Sequence, residues 1–253
     1  LRLRRYGIAR ILDRMSERNR AIENGSLVDR AVRRVRDHIR ENNLKVGDNL
    51  PGEGAFAEQL GVSRAVMREA FSTLAALHQI DVGNGRKARV AAIDGSVLSA
   101  SLDHAVATAQ ITINEIWDMR RTLELRTAEL AAIRRSDGEA RAIIGHAEAM
   151  AAHGADLDEL TRHDIAFHQA IAKASGNVLF HTLIRSFEPL MTVAVPTAWH
   201  MRATADRRAM VLEQHRRLAE AIANHDTSAA VAEMNTHFVT SIADLFARRS
   251  SAI

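Results

Sequence analysis

With 253 residues, 47% of them hydrophobic, the chain is long enough for one large domain or two ordinary ones with their own cores. It has no cysteine, which excludes disulfide staples and thiolate ligands, and no 18-residue apolar run, which excludes a transmembrane helix and predicts a soluble cytoplasmic protein. The net charge of +3 is unevenly spread: residues 1–90 hold 18 Lys and Arg against 11 Asp and Glu, and residues 91–253 hold 16 against 20, so a polyanion suits only the first part.

Three prolines and abundant alanine, leucine, arginine and glutamate predict a mainly α chain. Residues 1–26 read as a basic N-terminal extension, with six arginines before position 20 and Ile8, Ile11, Leu12 and Met15 at helical spacing. A DNA-touching arm and a partly ordered extension both fit it, and no apolar segment follows as a signal peptide would require. From Leu27 the pattern firms: Val28, Val32, Val35 and Ile39 define the buried stripe of a helix that ends near Asn42 and Asn43. The turn-rich LKVGDNLP follows, then a short helix over 53–60, broken at Gly61. Ser63 can cap the next helix, whose Val66, Ala70, Leu74 and Leu77 lean onto the first.

Helix, tight turn and second helix present one exposed face to a major groove. Arg64 and Arg68 lie one turn apart at the start of that second helix, where planar forks can reach guanine edges or phosphates. Beyond Leu77, HQIDVGNGRKARVAAID reads as two short strands about a Gly-Asn-Gly turn, with Arg86, Lys87 and Arg89 after the tip. A basic hairpin there makes a winged module over residues 27–92. Residues 93–98 are expected to link it to a second domain over 99–250.

That second domain is predicted as an antiparallel helical bundle, with helices over about 97–109, 113–135, 137–153, 157–174, 177–194, 204–223 and 226–248. In TRHDIAFHQAIAKASGN, Asp164 and His168 stand at i and i+4 on one helical face and can chelate one ion or form a plain surface pair. His215 and His237 sit in strongly periodic helices and can project inward; one Asp and three His would suit zinc, nickel or manganese. Periodicity alone does not select these from twelve histidines. His146, His153, His163, His181, His200 and His225 read as surface groups. Arg120 needs an anion if it turns inward and is an ordinary surface charge if it does not. Trp199, in the linker-like VPTAWHM, can cover a pocket or simply pack.

The order and spacing of GDNLPGEGAFAEQLGVSRAVMREAFSTL, MRRTLELRTAELAA, DIAFHQAIAKASGN and the two later histidines resemble GntR-family transcriptional regulators of the FadR subfamily, with an FCD-type effector domain, over about residues 27–248. The resemblance implies a winged helix-turn-helix followed by a helical bundle, and a homodimer on double-stranded DNA with an inverted-repeat operator. It assigns Arg64 and Arg68 the principal contacts, with Ser63 and Arg86 or Lys87 helping through backbone and wing. One departure stands out: the family usually has an arginine after the glutamate of its LPSE string, and here Gly54 follows Glu53.

By the same resemblance, Asp164, His168, His215 and His237 would hold a divalent ion, expected to be zinc, with nickel and manganese as alternatives. Arg120 would pair with the carboxylate of a small hydroxy or sugar acid, and Trp199 would cover it. The expected function is a metabolite-responsive repressor of a carboxylate or sugar-acid catabolic operon, not an enzyme. The alternative is a metal-dependent enzyme fused to a DNA-binding module. An open metal position would also serve catalysis, but no glutamate stands beside these ligands in a catalytic motif.

Overall fold

A computed structural model describes residues 25–83, 85–153, 156–202 and 204–246, with side chains up to 241. The arginine-rich residues 1–24, Asn84 at the hairpin tip and the side chains of Ile242 and Leu245 lie outside the described set. The chain divides into two compact units between Ile93 and Asp94.

In the first unit, Ser26 starts α1 (Leu27–Glu41) through a capping box: its hydroxyl accepts from the Asp29 amide while the Asp29 carboxylate accepts from the Ser26 amide. Val32 and Val35 are buried from α1, with Val28 and Ile39 packed at the edge. Helix α2 (Glu53–Leu60) ends at Gly61, whose φ of 61° is the left-handed conformation that closes a helix cheaply only with glycine. Ser63 then caps α3 (Arg64–Ala76), accepting from the Val66 amide at 3.3 Å. Helix α3 packs on both α1 and α2. Strands β1 (Ile80–Gly83) and β2 (Arg86–Val90) pair antiparallel, Ile80 opposite Val90, with an irregularity between Asp81 and Gly83. Val35, Leu50, Phe56, Met67, Leu74 and Ile80 form the core, each fully buried apolar side chain contributing roughly 1.5–3 kcal/mol.

The second unit holds α4 (Ser96–Ala107), α5 (Ile113–Arg134), α6 (Asp137–Ala152), α7 (Leu157–Ala174), α8 (Val178–Ser186), α9 (Glu188–Met201), α10 (Ala205–Ala223) and α11 (Thr227–Phe246). Thr112 and Ser136 open α5 and α6 with capping boxes to Glu115 and Glu139, and Asp156, Asn177 and Thr204 cap α7, α8 and α10. Helix α5 packs along α11, α7 along α6, and α10 against both α6 and α11. Ile143, Met150, Phe167, Ile171, Leu218, Ile222 and Phe238 fill the space between them.

Three expectations need correction. Residues 93–98 are not all linker, because α4 begins at Ser96, whose amide and hydroxyl both donate to the Asp94 carboxylate. The stretch 177–194 is not one helix: Pro189 cannot donate to the Arg185 carbonyl, α8 stops at Ser186, and α9 leaves at 59°. Trp199 is therefore not in a linker but on the last turn of α9, which runs on to Met201 through Pro196. Among the described residues, no single helix is long and apolar enough to cross a membrane.

Gly95 has φ of 79°, and a Cβ on it would stand 2.8 Å from the Thr182 carbonyl oxygen. Gly95→Ala is expected to destabilise the second unit by about 1–3 kcal/mol in urea unfolding. An unchanged midpoint would mean that the start of α4 is not held against α8.

Candidate metal centre and nucleic-acid interface

In the first unit the candidate DNA-contacting side chains share the exposed start of α3 and the wing. Arg64 is the first residue of α3 and is exposed, as are Ser63 and Arg68. Glu53, at the start of α2, holds Arg68 from the side, Nε to Oε2 at 3.6 Å. The Arg64 guanidinium lies beside Gly54, where an added Cβ would be 3.8 Å from its Nε. The position that departs from the family string is thus next to the arginine proposed to read bases. In the wing, Arg86 folds over Gly83, where a Cβ would come within 2.7 Å of its Nη2. Lys87 is exposed, and Arg89 donates from Nε to the Asn49 side-chain oxygen at 3.2 Å.

In the second unit, α7, α10 and α11 bring His168, His215 and His237 together. All three are buried, and one ligand nitrogen from each lies within 4.8 Å of the others. Their ring centroids are 4.6 Å apart for His215 and His237, 5.0 Å for His168 and His237, and 6.0 Å for His168 and His215. Asp164, one turn before His168, sets an oxygen 3.3 Å from His215 Nε2.

The proton positions make this contact informative. His215 donates from Nδ1 to the Val211 carbonyl at 2.8 Å, so in the neutral ring Nε2 carries a lone pair. That lone pair faces the Asp164 carboxylate, which has only lone pairs of its own. His215 Nε2 and His237 Nδ1 are both buried without a hydrogen bond. A buried polar atom left so costs about 1–3 kcal/mol, and a cation among these atoms would offset that. Asp164 stays ionised: burial pushes its carboxyl up, but contact with His215 and the nearby His168 and His237 hold it far below the usual carboxylate range. Burial, then His215 and His168, push His237 well below the ordinary imidazole value against the pull of Asp164, so its ring is neutral and able to ligate.

Arg120 does turn inward, with 4% of its surface exposed, and its anion comes from the chain itself. Its Nε and Nη2 reach Glu124 Oε1, both at 2.7 Å, and its guanidinium lies 5.0 Å from the Trp117 ring centre and 5.5 Å from that of Phe238. The other Glu124 oxygen accepts from His168 Nδ1. Burial raises the Glu124 carboxyl, but Arg120 and then His168 outweigh it, and the group stays ionised. A cavity of ≈ 30 Å³ borders Arg120, Asp164, His168, His237, Arg202 and Ser241.

Trp199 does not line that cavity; α9 contributes Val195 and Ala198 there, followed by Arg202 just past the helix end. The indole is buried, with the Arg202 and Arg208 guanidinium groups each 5.7 Å from its ring. Glu124, Arg202 and Ser241 are the site residues that sequence reasoning missed. Only Glu124 left a signal, as a carboxylate four residues after Arg120 on a helix facing the core. Two supposed surface histidines, His146 and His163, approach at 3.1 Å through their Nδ1 atoms, and His225 bonds the Ala132 carbonyl at 2.6 Å. An open groove of ≈ 600 Å³ between α6, α7 and α8 is lined by His146, Lys173 and His181, and by none of the three buried histidines.

Residues 27–90 match the family of bacterial regulatory proteins called gntR, and residues 115–240 match the FCD domain. The chain is 28% identical to the HTH-type transcriptional regulator LutR of Bacillus subtilis over 211 residues, covering 82% of this chain and 95% of that protein. It is 30% identical to the Glc operon transcriptional activator of Escherichia coli over 185 residues, 71% of this chain and 73% of the other. A solved structure of Streptococcus agalactiae GntR superposes with a TM-score of 0.62 at 26% identity, covering 84% of this chain and 98% of that one.

Arg120→Met would leave Glu124 as a buried anion with His168 as its remaining partner, and a loss of roughly 3–5 kcal/mol in urea unfolding is expected. Adding Glu124→Leu should recover part of that loss. A double variant weaker than the single one would show that the pair is not the unit that matters.

Proposed function

This chain belongs to the GntR family of bacterial regulatory proteins and is a DNA-binding transcription regulator with an FCD domain; from that premise we propose that it senses a small organic acid at a divalent-metal centre. The observation that carries the reading is His215 Nε2, buried without a hydrogen bond 3.3 Å from the Asp164 carboxylate, in a buried cluster with His168 and His237. Those four residues would hold the ion. Three imidazole nitrogens and one carboxylate suit zinc, with nickel and manganese also able to use such a set. The ion would supply a Lewis-acidic position for an oxygen of the ligand.

Arg120, bordering the same cavity, has Nε and Nη2 on Glu124 and Nη1 against the Met191 sulfur, and would fix the acid's carboxylate by exchanging that sulfur for it. A small hydroxy or sugar acid presents both a carboxylate and a neighbouring oxygen, which matches an arginine beside a metal centre. We read the centre as a sensor and not a catalyst, because the two carboxylates beside the histidines are already committed. Glu124 serves Arg120 and His168, and Asp164 belongs to the ligand set, so neither stands ready as a general base.

On the DNA side, the chain would act as a homodimer on an inverted repeat, with Arg64 and Arg68 reaching bases or phosphates and Ser63, Arg86 and Lys87 supporting from the cap and the wing. Repression relieved by the acid is the expected sign. A reporter whose output falls on addition of the acid would reverse it.

Two measurements test this reading. Arg64→Ala and Arg68→Ala should each weaken binding to a duplex selected from random sequence by about 1–3 kcal/mol in a gel-shift titration. Unchanged affinity in both would remove α3 from the interface. In calorimetry against small carboxylates, heat should appear with the Zn²⁺-loaded protein and vanish after chelation or in His215→Ala. Equal binding without the ion would refute the metal-dependent pocket.

A further inference from the structure

Glu124 is not among the four ligands, yet it touches both halves of the site. It is 1% exposed, and its two oxygens are divided: Oε1 accepts from Nε and Nη2 of Arg120, both at 2.7 Å, and Oε2 accepts from Nδ1 of His168. We propose that Glu124 is a positioning residue that fixes the metal-facing tautomer of His168 and couples the metal centre to the anion-binding Arg120. The metal and effector part rests on the function proposed above, whereas the tautomer does not.

An ionised carboxylate only accepts hydrogen bonds. The neutral His168 ring must therefore carry its proton on Nδ1, which leaves the lone pair on Nε2. With the proton on Nε2 instead, a ring lone pair would face a buried carboxylate oxygen, and Nε2 could not ligate. Carboxylate partners of this kind orient a ligating imidazole and raise its basicity. The same carboxylate is also the anion that allows Arg120 to be buried. When an acid draws on Arg120, the hold of Arg120 on Glu124 weakens and the hold of Glu124 on His168 strengthens. Such coupling is reciprocal, so a bound ion must change acid affinity by the factor by which the acid changes ion affinity.

Glutamine at this position cannot serve both partners. With its carbonyl toward Arg120, its amide N–H faces His168 Nδ1, which must then accept, and the ring proton moves to Nε2. Turned the other way, the amide N–H groups meet the donors of Arg120. Glu124→Asp keeps a purely accepting group and should keep the His168 tautomer.

The test is a long-range ¹H–¹⁵N correlation spectrum of the metal-free full chain, with His168 assigned through His168→Gln, together with Zn²⁺ titration of wild type, E124Q and E124D. The expected result is His168 protonated on Nδ1 in wild type and E124D and on Nε2 in E124Q, with Zn²⁺ affinity lowered about 10–100-fold in E124Q. A wild-type spectrum with the His168 proton on Nε2 would overturn the proposal without any variant. So would a folded E124Q with unchanged tautomer and Zn²⁺ affinity. If wild type bound no Zn²⁺, the metal-sensor reading would fall, and the His168 tautomer would still decide the role of Glu124.

Discussion

A guanidinium cannot be buried without an anion, and the interior of the second unit is arranged around that requirement. Arg120 projects from α5 into a core of aromatic and aliphatic side chains, where Glu124, one turn further on, supplies the charge. Because Glu124 also engages His168 of α7, the ion pair sets the relation of α5 to α7 as well as its own geometry. The Phe238 ring near the guanidinium belongs to α11, which also brings His237 to the cluster. One buried charge thus places three helices. His215, from α10, then sets its Nε2 3.3 Å from the Asp164 carboxylate of α7, an arrangement that makes sense around a cation.

The first unit depends on turn chemistry more than on charge. Gly61 reverses the chain and Ser63 restarts it, so α3 leaves with its first residue, Arg64, already in solvent. Gly83 and Gly54 then serve the arginines in different ways: at Gly83 the Arg86 guanidinium lies where a side chain would begin, and at Gly54 the Arg64 guanidinium lies alongside. Arg86 cannot keep its place with any larger residue at 83. Arg64 has only ordinary contact with position 54, so the glycine there gives it room without dictating where it sits. The departure from the family string thus lies beside the exposed start of α3.

Most helices were legible because capping residues and apolar spacing agree. Ser26, Ser63, Thr112, Ser136 and Asp156 each stand where a periodic stretch begins. The break at Phe187 was missed because the apolar pattern continues through it, and only Pro189 marks the lost hydrogen bond. Trp199 was misplaced for the converse reason: proline and threonine in VPTAWHM look like a loop, yet a helix tolerates a single proline if its neighbours hold it. The cluster of three histidines was not legible from periodicity at all, since His215 and His237 meet His168 only after three helices pack. Glu124 escaped the sequence reading because an i+4 pair with Arg120 has the same spacing whether it is buried against a core or lies in water.

The cavity beside the histidines bears on how such a site could signal. At ≈ 30 Å³ it accommodates on the order of one or two waters, far below the roughly 300–1,000 Å³ of ordinary ligand pockets. An organic acid therefore cannot enter without displacing part of the wall. Helices α5, α7 and α11 are tied to one another by Arg120, Glu124 and His168 and by the aromatic core, and α9 joins them through Met191, whose sulfur meets Arg120 Nη1, before lining the cavity with Val195 and Ala198. Pro196 also removes one backbone hydrogen bond from α9, to Thr192, beside the cavity. Past that wall, at the exit of α9 toward α10, Trp199 lies near both Arg202 and Arg208. A ligand that binds only the displaced arrangement shifts the population toward it by its full difference in affinity.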